Sequence, residues 1–352
     1  MPDIKEKHTT SPKVSIIVLN WNGWRDSVEC LESLYQITYP NYEVILVDNG
    51  STDKSLQKIR DYAKGSLEVN SAFFNYNPLD KPITVVEYVK EEAESTLSPE
   101  GRFPSSKGRL TIIKNSQNYG YAEGNNVGIR MALLRESNYV LLLNNDVVVD
   151  PSFLTELVLA AEQDECIGFV GPKAFFYDFS GRTDVIRFAG GIFSLQTAST
   201  PRRGYKQIDR GQFNKVQLVD WIEGSCILTR KETILNTGLL NADYFAYLED
   251  VEWCLRGARL GYKSVYTPNA RIWHKIGAIK NEKSNTAYYY SGRNFLWLAK
   301  EYGSGKQLCL FIISFVTVRI WLEIGKSLIF HRSIKEPVSF VRGIIAGLVK
   351  LS

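Results

Sequence analysis

The sequence predicts an α/β protein: a Rossmann-like, mostly parallel sheet flanked by helices, followed by a helical C-terminal extension. Three observations carry that expectation. Four short apolar runs, VSIIVL, YEVILV, RLTIIK and NYVLLL, each stop abruptly at polar residues. Stretches with helical spacing of apolar residues alternate with them, and strands alternating with helices imply parallel pairing. The chain has 352 residues, 44% of them apolar and 12% aromatic, enough for one large core with an elaboration.

The elements follow in order. Residues 1–13, MPDIKEKHTTSPK, lack an apolar stretch; they read as a disordered tail and not a signal peptide, which places the start of the chain in the cytoplasm. The folded domain is expected at 14–285. Val14 to Leu19 form the first strand, and Asn20, Asn22 and Gly23 turn the chain. Val28, Leu31, Leu34 and Tyr35 then share a helix face, with Pro40 beyond its end. YEVILVDNGSTDKSLQKI repeats strand, polar loop and helix. Residues 66–108 read as an insertion, because loops of that length are uncommon in compact domains; ITVVEYV inside it has strand character. RLTIIKN and the helix around YAEGNNVGIRMALL follow, and NYVLLL is the fourth strand. Beyond Asp150 come a helix at PSFLTELVLAAEQ, a strand at IGFVGPKAFF, an extended piece at VQLVDWIEGSCILTRKE and a helix that stops near Gly238. Residues 286–352 read as helical. Their apolar run Leu308–Val318 falls short of the roughly 20 residues that span a bilayer, so an interfacial, membrane-associating helix is expected.

Charge and cysteine usage narrow the function classes. From Trp253 onward there are 16 Lys and Arg against 4 Asp and Glu, whereas the preceding part has 26 against 34. Such a basic end suits anionic lipid or phosphorylated substrates; nucleic acid is not expected as a partner, and oligomerisation is left open. The five cysteines form no CxxC pair, which argues against a zinc site or a disulfide scaffold.

In an open parallel sheet, ligands bind outside the carboxyl ends of the strands, and the polar clusters all fall at that edge. No GxGxxG or Walker loop follows the first strand. Trp21 is placed to stack on a base, and Asp48, beside Asn49, to accept hydrogen bonds from base or ribose. Turn formation is the competing reading of Asp48. Asn118 and Asn125 bring amides to the same edge, while Gly120, Gly124 and Gly128 recur every four residues, suited to close approach of ligand or sheet. Asp146, at the end of LLLNND, is placed to hold Mg²⁺ or Mn²⁺ against a diphosphate, since hard cations keep few protein ligands and fill the rest with phosphate and water. Glu249 and Asp250 emerge from the apolar YFAYL, where burial would raise a carboxyl pKa toward the range of a general base. His274 is open to structural or metal-binding readings.

Seven ordered stretches, VSIIVLNWNG, VILVDNGSTD, NYGYAEGNNVGI, LLLNNDVVV, WIEGSCILTRKE, YFAYLEDVEWCLR and IWHKIG, resemble the family 2 inverting glycosyltransferases, specifically their rhamnosyltransferase-like branch. The resemblance implies a GT-A fold and transfer of a sugar from a nucleoside diphosphate donor to a hydroxyl of a glycan or lipid-linked glycan. It implies Asn20, Trp21 and Asp48 beside base and ribose, Asn118 and Gly120 flanking the donor, and Trp221 and Glu223 lining the sugar or acceptor cleft. It makes Asp250 the base and Asp146 the metal ligand, with His274 a second ligand. One departure stands out. The acidic motif usually written Asp-x-Asp is Asn144-Asn145-Asp146 here, so Asn144 can bond ribose or metal-bound water but adds no charge.

The expected chemistry is metal-assisted single displacement. dTDP-rhamnose is the donor the resemblance favours, with UDP- and GDP-sugars open. The rivals are a nucleotidyltransferase and a non-catalytic nucleotide-sugar-binding scaffold on the inner face of the cell membrane.

Overall fold

The computed structural model describes residues 11–95, 108–197, 199–275, 282–326, 328–329 and 334–349. Residues 1–10 of the expected tail and 96–107 of the expected insertion lie outside these. The first half alternates as the apolar pattern requires: β1 (Val14–Asn20), α1 (Trp24–Tyr35), β2 (Tyr42–Asp48) and α2 (Ser55–Ala63). The insertion contributes an edge strand, β3 (Thr84–Val89), and one short helical turn, α3 (Lys90–Ala93). Next come β4 (Arg109–Lys114), α4 (Gly120–Leu134) and β5 (Tyr139–Asn144). Strands β3, β4, β2, β1 and β5 lie side by side in that order, all parallel. Helices cover both faces, so Ile16, Ile17, Ile45, Leu46 and Leu142 are all at most 1% exposed, the uniform burial expected of parallel strands.

Beyond β5 the sheet becomes mixed. β6 (Val147–Val149), α5 (Phe153–Ala161), β7 (Ile167–Phe176), β8 (Ile186–Phe188), β9 (Gln217–Val219), β10 (Cys226–Arg230), α6 (Lys231–Thr237), α7 (Glu249–Arg259) and β11 (Lys263–His274) complete the domain. β10 runs antiparallel between β5 and β7, and β11 pairs with β7 in parallel and with β6 in antiparallel. Two chain reversals follow from this order. They bring the ends of β5 and β11 together, and with them Asp146 and His274.

The glycines of α4 have two different reasons. A Cβ on Gly124 would lie 2.8 Å from Leu19 Cδ1, and one on Gly128 2.6 Å from Ile17 Cγ2, so these two let the helix settle on β1. Gly120 belongs to the site instead.

At the C-terminus, α8 (Glu282–Tyr302) buries Leu298 in the main core and packs along α11 (Lys335–Val349). A smaller core of Phe295, Leu296, Phe311, Phe315 and Phe340 joins them to α9 (Gly305–Ser314). The apolar run is longer than its composition suggested. α9, a π-helical turn at Phe315–Arg319 and α10 (Ile320–Lys326) are continuous, and Gly305–Gly325 makes a helix of 21 residues. Arg319 and Glu323, which seemed to end the run, pair one turn apart at 3.3 Å, so neither charge interrupts it. By length and composition it is the one helix among the described residues long and apolar enough to cross a membrane, and only 11% of its most apolar 18-residue stretch is buried in the protein.

Candidate active site

The carboxyl edge of the sheet opens into a cavity of about 950 Å³. Trp21, Asn49, Asn118, Gly120, Asn144, Trp221, Glu223, Glu249, Asp250 and His274 all line it. Asn20, Asp48, Asn125, Asn145 and Asp146 stand behind this lining, with Asp146 reached through His274.

The rim formed by β1, β2 and α4 is a closed hydrogen-bond network. Asp48 is 2% exposed and accepts from Asn20 Nδ2 at 2.7 Å, Ser51 Oγ at 2.6 Å and Ser51 N at 3.1 Å. Asn20 in turn accepts from Ser27 Oγ at 2.8 Å. Asn49 donates to Asn118 Oδ1 at 2.9 Å and to the Gly120 carbonyl at 3.0 Å, and accepts from Asn115 Nδ2 and Tyr119 N. Asn125 donates back to the Tyr121 carbonyl within α4. Asn145 turns away from the cavity and donates to the Gly23 carbonyl and Ser27 Oγ, holding the turn after β1. These amides shape the loops. Trp21, by contrast, is 46% exposed at the mouth, an open ring where a planar base can stack.

Across the sheet, His274 Nε2 lies 3.0 Å from Asp146 Oδ1. His274 is 5% exposed, and its Nδ1 has no partner among the described residues. An imidazole and a carboxylate at this spacing fit a hard divalent cation that takes its remaining ligands from phosphate and water. Among the described residues no group of three or more such side chains gathers, so this pair is the candidate.

The third side is where burial and charge conflict. Gly224 donates its N–H to Asp250 Oδ2 at 2.7 Å and accepts from Tyr121 Oη at 2.6 Å; a Cβ there would meet Tyr121 Oη at 2.9 Å. Asp250 Oδ1 accepts from Val251 N at 2.8 Å. Burial nevertheless pushes the Asp250 carboxyl up to about 6, more than the two N–H groups can offset. Glu249 beside it is raised well above the usual carboxylate range by burial and by the neighbouring Asp250, and its Oε2 is buried without a hydrogen-bond partner among the described residues. Glu223 shows the opposite outcome. Burial alone would raise it, but the Arg187 and Arg202 guanidiniums prevail and hold it at about 2.

The chain reaches these acids through a strained segment. Phe245 (φ 61°, ψ −60°) is the centre of a γ-turn of the rare positive-φ form, closed by Ala246 N donating to the Tyr244 carbonyl at 2.7 Å. Tyr247 and Leu248 are left-handed at φ 69° and 70°. Such conformations cost roughly 1–3 kcal/mol each and persist only where the surroundings over-determine them. A Cβ on Gly120, itself at φ 85°, would come within 2.6 Å of Phe245, so glycine is what lets α4 approach this segment.

Sequence reasoning missed several wall residues. Tyr121 lies inside the stretch NYGYAEGNNVGI but is not singled out there, and Arg187 and Arg202 fall outside the seven stretches. Tyr290, Ser291, Phe295 and Arg319, from the helical extension, also reach the cavity.

Comparison with known proteins decides the family. A profile described as "Glycosyl transferase family 2" matches residues 15–77, and one described as "Glycosyltransferase like family 2" matches residues 69–291, well over half of the chain. The chain belongs to glycosyltransferase family 2. The family expected from the seven motifs is therefore borne out. Over 282 residues it is 25% identical to an uncharacterized protein, y4gI, of Sinorhizobium fredii, covering 78% of this chain and 25% of that one. It is 27% identical over 189 residues to an N-acetylglucosaminyl-diphospho-decaprenol L-rhamnosyltransferase of Mycobacterium tuberculosis, covering 49% of this chain and 60% of the relative. The chain thus spans a quarter to about 60% of the length of these relatives. The mannosyltransferase PcManGT of Pyrobaculum calidifontis, solved with GDP-mannose and Mn²⁺, shares the fold. It has a TM-score of 0.56 and 16% identity, over 98% of this chain and 89% of that one. This is the GT-A fold that the strand order and crevice imply.

Proposed function

We propose that the enzyme transfers a sugar, with inversion, from a nucleoside diphosphate donor to a hydroxyl of a glycan or lipid-linked glycan. The observation that carries this reading is one cavity with three kinds of wall: an open aromatic ring, a histidine that is backed by Asp146 and with it suits a cation, and a buried carboxyl near pKa 6. Trp21 stacks on the base of the donor. Asn118 and the backbone around Gly120 border its ribose and phosphates. Asp146 and His274 would hold Mg²⁺ or Mn²⁺, which when bound would supply positive charge for the departing diphosphate. Asp250 accepts the proton of the acceptor hydroxyl as that oxygen attacks the anomeric carbon from the face opposite the leaving group. Glu249, raised well above the usual carboxylate range by burial, lies beside it, and Glu223 pairs with the two arginines.

dTDP-rhamnose is the donor favoured, in keeping with the named activity of the mycobacterial relative; the GDP-mannose of the solved mannosyltransferase keeps GDP-sugars in contention. The apolar face of α9 and α10, with Ile313, Trp321 and Leu322 exposed, supports seating on the cytoplasmic side of a membrane, where a lipid-linked acceptor would present its sugar.

The test is a panel of dTDP-, UDP- and GDP-sugars scored for nucleoside diphosphate release with Mn²⁺, Mg²⁺ or EDTA, followed by the anomeric configuration of the product. Metal-dependent release with an inverted product is expected. Retention of configuration, or release of pyrophosphate, would replace this reading with a different enzyme class.

A further inference from the structure

We infer that Asn294, on the C-terminal helix α8, is a positioning residue that holds the backbone leading into Asp250 and so sets where that carboxylate points. The inference rests on Asp250 being the base.

Asn294 is 0% exposed, although it opens an otherwise aromatic and aliphatic stretch, NFLWLA. Its Nδ2 donates to the carbonyls of Tyr244 at 3.1 Å, Ala246 at 3.0 Å and Tyr247 at 2.6 Å. Its Oδ1 accepts from Arg293 Nε at 2.8 Å. Three acceptors on one side and a guanidinium donor on the other leave the amide a single orientation. Arg293 extends the grip: its Nη2 donates to the carbonyls of Asp243 at 2.7 Å and Tyr244 at 2.8 Å, while its guanidinium lies 4.1 Å from the centre of the Trp297 ring.

The carbonyl that Asn294 does not reach is taken from the other side. Phe245 O accepts from Tyr121 N at 2.6 Å and Ala122 N at 3.1 Å, at the start of α4. Every carbonyl from Tyr244 to Tyr247 therefore has a donor from α4 or α8. This is the segment with three positive-φ residues that no glycine relieves, and Leu248 at its end directly precedes Glu249 and Asp250. A segment in disfavoured geometry keeps it only while such donors persist. The helix that supplies them comes after every motif of the catalytic domain, and its neighbouring residues Tyr290, Ser291 and Phe295 line the same cavity. The C-terminal extension is thus a part of the active-site frame, not only an attachment.

Asn294→Asp is close to isosteric, keeps an acceptor for Arg293 Nε and removes the N–H donors. On the donor that the wild-type enzyme turns over fastest, it is expected to lower kcat about 10²-fold, the scale of a displaced general base. The Kd for the corresponding nucleoside diphosphate with Mn²⁺ should stay within about threefold. Arg293→Lys, a milder change, should lower kcat about tenfold with the same split. In the double variant Asn294→Asp, Asp250→Asn, turnover should be no slower than in Asp250→Asn alone, because a residue that acts through the base adds nothing once the base is gone. Wild-type kcat per folded molecule in both single variants, equal losses in kcat and nucleotide affinity, or multiplying losses in the double variant would each overturn the inference. Full turnover in Asp250→Asn alone would instead overturn the assignment of the base.

Discussion

The two rims of the cavity are built on opposite principles. On the β1–β2 side, Asn20, Asp48, Asn49 and Asn145 are paired with one another and with backbone, and Asp48 accepts three hydrogen bonds. On the α7 side, Glu249 keeps an oxygen without a partner among the described residues, Asp250 is pushed to about 6, and the backbone before them sits in disfavoured conformations. Buried polar groups with full sets of partners rigidify, whereas unpartnered ones cost about 1–3 kcal/mol and shift their protonation. The first rim holds loops in place. The second keeps a carboxyl pKa raised, as the proposed base requires.

That contrast breaks or sharpens under substitution. The largest effect in this set is expected at the cation pair: Asp146→Ala should reduce turnover about 10²-fold or more, since a cation on a phosphoryl oxygen is worth several kcal/mol, and should abolish Mn²⁺-dependent nucleotide binding in calorimetry. Acid should act next. A raised carboxyl is protonated below about pH 6 and ionised above it, and a base must be ionised, so kcat should fall about tenfold per pH unit below 6. The stability sign is opposite: both acids favour their neutral forms in the fold, and the stabilisation they give at low pH is lost as pH rises through that range. Trp21→Ala should weaken nucleotide binding by about tenfold, within the 1–3 kcal/mol of a base stacked on an aromatic ring, with no change in melting temperature. The smallest catalytic effect belongs to the saturated rim. Asn145→Ala should cost about 1–3 kcal/mol of stability by unpairing the turn after β1, seen as a lower denaturant midpoint, while kcat per folded molecule stays near wild type. A catalytic loss at Asn145 without a stability loss would dissolve the distinction between the rims.

Much of this was legible in the chain itself. The four apolar runs and their polar ends located the parallel half of the sheet and its crevice, because strand length and period are local properties. The acids Asp146 and Asp250 could be singled out since each interrupts an apolar run. Direction was not legible: at a strand end Asn144 faces the cavity and Asn145, one residue on, faces the β1 turn, and no local rule separates them. Nor could the conformation of Phe245, Tyr247 and Leu248 be read, as positive φ at such residues is imposed by α4 and α8 from outside. The helix at Gly305–Gly325 looked short because Arg319 and Glu323 counted as breaks, and only their pairing one turn apart removes them. Asn294 carried one available signal, an amide inside an aromatic helix.

The central claim is a proton-accepting carboxylate at Asp250 facing a donor held against Asp146 and His274. It is tested most directly by Asp250→Asn, with kcat and nucleoside diphosphate affinity measured on the same preparation. A loss of about 10² or more in kcat, with Kd unchanged within about threefold, is the expected result. Undiminished kcat, or a loss of nucleotide binding equal to the loss of turnover, would contradict it.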